Sequence, residues 1–143
     1  MRLRRLALGV AVLLALGIIA IGSRFLLAPG QAAIGFGIPA TTGGGEAYLA
    51  AKGLRDIASG LIGLLILAVG THRVLAWYLL GATIIPIGDV LIVLSHGGSP
   101  AVALGVHGAT AAVMASTAVV LLRGSDPTRS RLESREMTSG PTS

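Results

Sequence analysis

Lys52-Gly53-Leu54-Arg55-Asp56 sets three ionisable side chains within five residues, at the mouth of an apolar run. Asp89 lies inside another apolar run, Ile85-Pro86-Ile87-Gly88-Asp89. Carboxylates beside cations in apolar surroundings can hold a ligand's polar head, move a proton, or lock two helices together as an ion pair. An isolated acid at the centre of a membrane span costs roughly 2.5–3.5 kcal/mol on insertion scales, so Asp89 calls for a partner. Arg55 is the expected one, because its planar fork suits a carboxylate. Lys52 and Asp56 stand four apart and pair along one helix face. No Gly-x-Ser-x-Gly elbow occurs, and Gly43-Gly44-Gly45 lacks the Gly-Lys-Ser/Thr of a phosphate loop. The three histidines, His72, His96 and His107, are expected at different heights, which argues against a metal centre; His107 beside Gly108 also reads as a packing residue.

The composition says where such a cluster must sit. Of the 143 residues, 53% are hydrophobic and 12% charged, and the mean hydropathy is +0.84. A soluble domain carries about 25% charge, so most of this surface must face lipid. The net charge of +5 collects at the ends and turns of the chain, which is a membrane-topology pattern and not a nucleic-acid face. Aromatic side chains for base stacking are few. The absence of cysteine removes disulfides, thiolate metal sites and thiol redox chemistry.

The elements follow in order. Residues 1–5 are a basic leader. An uncharged run over 6–22 starts a first helix, expected over 6–28 and ended by Pro29. A secretory signal peptide looks similar at first, but this run exceeds the usual apolar region of about 7–15 residues. Residues 29–46, dense in Gly, Pro and Thr, read as a loop. A second helix is expected over 47–70. Its charge-free part, 57–70, spans only about 21 Å of a core about 30 Å thick, so Lys52, Arg55 and Asp56 must lie near the interface. A third helix covers 74–95, with Trp77 and Tyr78 as interface anchors, and a fourth covers 101–122. Small residues recur every four positions at Ala7, Ala11 and Ala15, at Ala101, Gly105 and Ala109, and at Gly108, Ala112 and Ser116, where helices can approach closely. Residues 123–143 are polar and aperiodic, and read as a disordered cytoplasmic tail.

The expected fold is therefore all-α: a four-helix transmembrane bundle in a 6–122 membrane domain. Eight of the basic residues fall on the side of the termini and three on the other, which places both termini in the cytoplasm. With that topology Arg24, Asp56, Asp89 and His107 fall within about 6–12 Å of one level near the non-cytoplasmic side. Lys52 and Arg55 join them, so the four helices contribute to one polar layer. Mid-helix Pro86 frees a carbonyl near Ala82, and Gly88 offers a close backbone approach beside Asp89.

Arg24-Phe25 followed by Pro29, then Lys52-Gly53-x-Arg55-Asp56, then Ile85-Pro86-x-Gly88-Asp89, resembles a domain-of-unknown-function family of small four-helix integral membrane proteins of bacteria and fungi. More distantly it is similar to the DoxX-like group. The resemblance covers about 6–122 and implies a four-helix bundle in the bacterial plasma membrane, without an accepted activity. Some DoxX-like proteins are associated with quinone-linked redox chemistry; this chain brings no cysteine to such a role. Three readings of function stand open. The layer Arg24, Lys52, Arg55, Asp56, Asp89 and His107 binds a small lipophilic molecule or lipid, with the arginines on an anionic or carbonyl group. Alternatively Asp89 or Asp56 acts as acid and base in an intramembrane enzyme. Or the charges are structural, in a homo-oligomer or a subunit of a membrane complex or transporter. The bilayer is the partner that the composition requires, nucleic acid is not expected, and the sequence leaves any cofactor unread.

Overall fold

The computed structural model describes residues 2–38 and 45–124. The expectations for 39–44 and for the tail from 125 onward lie outside the described residues. The chain forms α1 (Arg2–Leu27), α2 (Pro29–Phe36), α3 (Glu46–Val69), α4 (His72–Ala82) and α5 (Ile84–Ser95), followed by α6 (Pro100–Arg123). No strand occurs among the described residues. Arg2–Leu27, His72–Ser95 and Pro100–Arg123 are each long and apolar enough to cross a membrane, which is the make-up of a membrane protein. α3 is as long as α4 and α5 together, at 24 residues, but Lys52, Arg55 and Asp56 interrupt its apolar run.

Small residues set the closest packing. α1 and α3 run antiparallel with backbones nearly touching. A Cβ on Gly22 would fall 2.5 Å from the Gly53 carbonyl oxygen, and one on Gly53 would fall 2.6 Å from the Gly22 oxygen. The Ala7, Ala11 and Ala15 stripe of α1 is buried, as its spacing predicts. Two of these alanines join Leu75, Ala76 and Leu79 of α4 and Ala118 and Leu121 of α6 in the main apolar core. Arg4 lies beside Gly124, so α6 is antiparallel to α1. The C-terminal ends of α1 and α5 and the N-terminal ends of α3 and α6 thus meet at one end of the bundle.

Three expectations need correction. The leader is not separate: Arg2 to Arg5 form the first turn of α1, since Arg and Leu are good helix formers. Residues 29–36 are a helix and not a loop. Pro29 is its first residue, where a missing N–H costs nothing. The helix closes at Gly37, with φ 98°, where Gly37 N–H donates to Ile34 O at 3.0 Å and Ile38 N–H to Ala33 O at 3.2 Å. That is the Schellman pair of bonds, which favours glycine. The expected third helix breaks at Thr83, because Pro86 cannot donate to the Ala82 carbonyl. The small-residue stripes of α6 do not pack within the chain: Ala101, Gly105, Ala109, Ala112 and Ser116 are exposed. Ala103, His107 and Ala111 face inward instead. A spacing of four drifts off one face at 3.6 residues per turn, and a π-helical stretch over Ala103–Gly108 absorbs the drift.

Gly37 also carries the junction of α2 with the rest. Its carbonyl accepts from Ser99 N–H at 3.2 Å, and an added Cβ would stand 3.1 Å from Val102 and 3.2 Å from Val93. Gly37→Ala should cost about 1–2 kcal/mol from the left-handed backbone alone. The thermal midpoint in detergent checks this; an unchanged midpoint would show that α2 is not held by this turn.

Candidate functional site

The polar layer is assembled from the end of the bundle where α1, α2, α3, α5 and α6 meet. α3 presents Lys52 and Asp56 one turn apart, and Lys52 Nζ stands 2.6 Å from Asp56 Oδ2. The Asp56 side chain is only 2% exposed and that of Lys52 14%, so this pair is enclosed, unlike an ordinary surface i,i+4 pair. α1 adds Phe25 and α2 adds Phe36. The Lys52 ammonium lies 4.8 Å from the first ring centre and 4.6 Å from the second, within cation–π range. The two rings meet edge to face at 5.9 Å, and Phe36 in turn lies 4.4 Å from the imidazole of His107.

His107 is turned inward at the end of the π-helical stretch. Its Nε2 lies 3.1 Å from the Phe36 carbonyl oxygen. A carbonyl only accepts, so Nε2 carries the proton in this bond, and the other nitrogen is left to face its surroundings. That nitrogen, Nδ1, faces Asp89 Oδ2 at 3.9 Å, beyond hydrogen-bond length. The Asp89 side chain is 14% exposed and that of His107 11%.

Both groups look into a cavity of about 140 Å³ at the centre of the bundle. Lys52, Asp56, Asp89 and His107 line one end; Leu14, Ile18, Leu67, Leu75, Leu79 and Met114 line the body. The volume is close to that of an engineered apolar cavity of about 150 Å³ that accepts benzene. Tyr78 borders it too, and its hydroxyl donates to the Ser59 carbonyl of α3. This bond ties α4 to α3 across the cavity. Tyr78→Phe should lower stability by about 1 kcal/mol, read from the denaturation midpoint; no loss would mean that water or lipid satisfies Ser59 equally well.

The layer expected from the sequence is therefore partly present. Lys52, Asp56, Asp89 and His107 converge on one cavity. Arg55 does not join them. It is exposed, and the ion pairs found among the described residues are Lys52–Asp56 and His107–Asp89. Arg55 sits about 100° around α3 from Asp56, and it is exposed where Asp56 is buried. Arg24 is exposed and borders a second cavity of about 190 Å³, lined also by Phe25, Phe36 and His107. Nothing approaches Gly88 closely. Tyr78 is an inward hydrogen-bonding residue and not an interface anchor, whereas Trp77 is exposed. Phe25 enters the sequence reading only through the Arg24-Phe25 pair, and Phe36 carries no motif of its own. The one signal for Phe36 is that it precedes a helix-closing glycine.

A family model described as a domain of unknown function (DUF4267) matches residues 15–121. The chain belongs to this family. The matched DUF4267 segment runs from the middle of α1 almost to the end of α6. It therefore contains every residue of the polar layer. No curated protein and no solved structure matches the chain.

Proposed function

We propose that the protein is a small four-span membrane protein that binds a small lipophilic molecule in the central cavity, its polar head in the layer of Lys52, Asp56, Asp89 and His107. The carrying observation is the cavity's division into an apolar body and one ionic end, the pattern of a site that orients an amphiphile. α3 serves as the fourth span. Lys52 and Asp56 neutralise each other inside the bundle, and Arg55 reaches the interface along its flexible stem. The distribution of basic residues supports cytoplasmic termini, and this reading puts the protein in a bacterial plasma membrane.

Native mass spectrometry of protein released from membranes tests this. Wild type should carry a bound small molecule at unit stoichiometry, and Asp89→Asn should lose it while keeping its helical circular dichroism. A clean apo mass in wild type, with Asp89→Asn strongly destabilised, would instead make the acid structural. A second reading, acid–base chemistry, draws on the approach of His107 to Asp89; conversion of the bound species during incubation would favour it.

A further inference from the structure

The charges around the cavity do not balance. With His107 neutral, its ionic end holds one cation, Lys52, and two carboxylates, Asp56 and Asp89. Lys52 is committed to Asp56 at 2.6 Å. Asp89 makes no hydrogen bond among the described residues, and its ion-pair contact there is the His107 ring nitrogen at 3.9 Å. Because Nε2 donates to Phe36 O, Nδ1 of the neutral ring is also an acceptor. Two acceptors thus face each other across a gap too long for a direct bond, one of them a carboxylate with no cation in direct contact with it. Arg24 and Arg55, the arginines at this end of the bundle, are exposed and do not line the cavity.

We infer that the cavity takes a lipophilic primary or secondary ammonium, its nitrogen seated between Asp89 Oδ2 and His107 Nδ1. This rests on the reading of the cavity as a ligand site and names the ligand's head. A nitrogen about 2.9 Å from both acceptors subtends roughly 85° between them, so each N–H bends about 12° from the line of its bond, well inside the tolerated range. A hydroxyl has a single proton and leaves one acceptor unpaired. A water satisfies both acceptors but supplies no charge. A carboxylate head meets two acceptors and the wrong sign. This head differs from the one expected from the sequence, an anionic or carbonyl group held by Arg24 and Arg55.

The test uses the full chain in zwitterionic-lipid nanodiscs, with empty nanodiscs as the partition control. Octylamine, octyltrimethylammonium, octanol and octanoate are titrated in turn and binding is read calorimetrically. Octylamine should bind at least tenfold more tightly than the trimethyl analogue, which has the charge without N–H donors, and than octanoate. Asp89→Asn should erase that preference. If Asp89→Asn fails to fold, the wild-type series decides alone. Octanoate or octanol binding as tightly as octylamine would overturn the ammonium head while leaving the cavity a ligand site. Equal binding of the amine and its trimethyl analogue would overturn the seat between the two acceptors. Binding of none of the four would overturn both the head and the ligand site, leaving a proton on His107 as the counter-charge.

Discussion

Lys52→Ala should destabilise the folded protein by about 3–5 kcal/mol, the cost of breaking a buried ion pair from one side. Asp56 is 2% exposed and held at 2.6 Å by the Lys52 ammonium. Removing that ammonium leaves a carboxylate that water cannot reach. It also removes the cation between Phe25 and Phe36, each contact adding about 0.5–2 kcal/mol. An exposed i,i+4 pair contributes only about 0.3–0.5 kcal/mol, so the size of the effect reports the burial. The double variant Lys52→Met/Asp56→Leu should recover most of the loss, because it deletes both charges and keeps apolar volume. Chemical denaturation in mixed micelles gives all three values. A loss below about 1 kcal/mol for Lys52→Ala would mean that Asp56 is hydrated and that the layer is no enclosed site.

The parts of this site that were legible in the sequence are those that follow from one-dimensional distance. Lys52–Asp56 follows from a spacing of four. The common depth of Asp56, Asp89 and His107 follows from rise per residue in antiparallel helices, since depth is additive along a helix. What one sequence does not carry is azimuth. Arg55 and Asp56 share a depth, and only the packing of Gly53 and Gly60 against α1 decides that Asp56 turns inward and Arg55 outward. The same holds for α6. Its inward face depends on a π-helical stretch, and an added residue in one turn rotates everything before it. Pro29 shows a different loss. Proline ends one helix and begins the next, and a dense run of Gly and Pro hides the second role. That short helix delivers Phe36, whose ring and carbonyl both meet His107, so the misread segment is the one that orients the histidine.

Gly60→Leu should be among the most disruptive substitutions in the membrane domain, and Gly60→Ala should already reverse the usual sign. In an ordinary helix interior Gly→Ala gains about 0.5–1 kcal/mol, because alanine has less backbone freedom to lose. At Gly60 the new Cβ would stand 2.5 Å from Ile19 Cγ1 and 2.6 Å from the Ala15 carbonyl oxygen. The second of these is backbone and cannot swing aside. Alanine must therefore push α1 and α3 apart, and leucine must push further. Overpacking costs about 1–3 kcal/mol in a close-packed core and more where the obstacle is main chain. Gly17→Ala on α1, with open space around its Cβ, is the matched control and should be neutral or stabilising. The consequence reaches the site, because Phe25 rides on α1 and Lys52 and Asp56 on α3. Separating the helices at Gly60 loosens the Gly22–Gly53 crossing on the same interface, and with it the seat of the Lys52 ammonium between its aromatic rings. Gly60→Leu should thus weaken ligand binding by protein that still folds, although Gly60 bears no polar group. If Gly60→Ala raised the thermal midpoint as much as Gly17→Ala, the close approach of α1 and α3 would be refuted, and the enclosure of Asp56 with it.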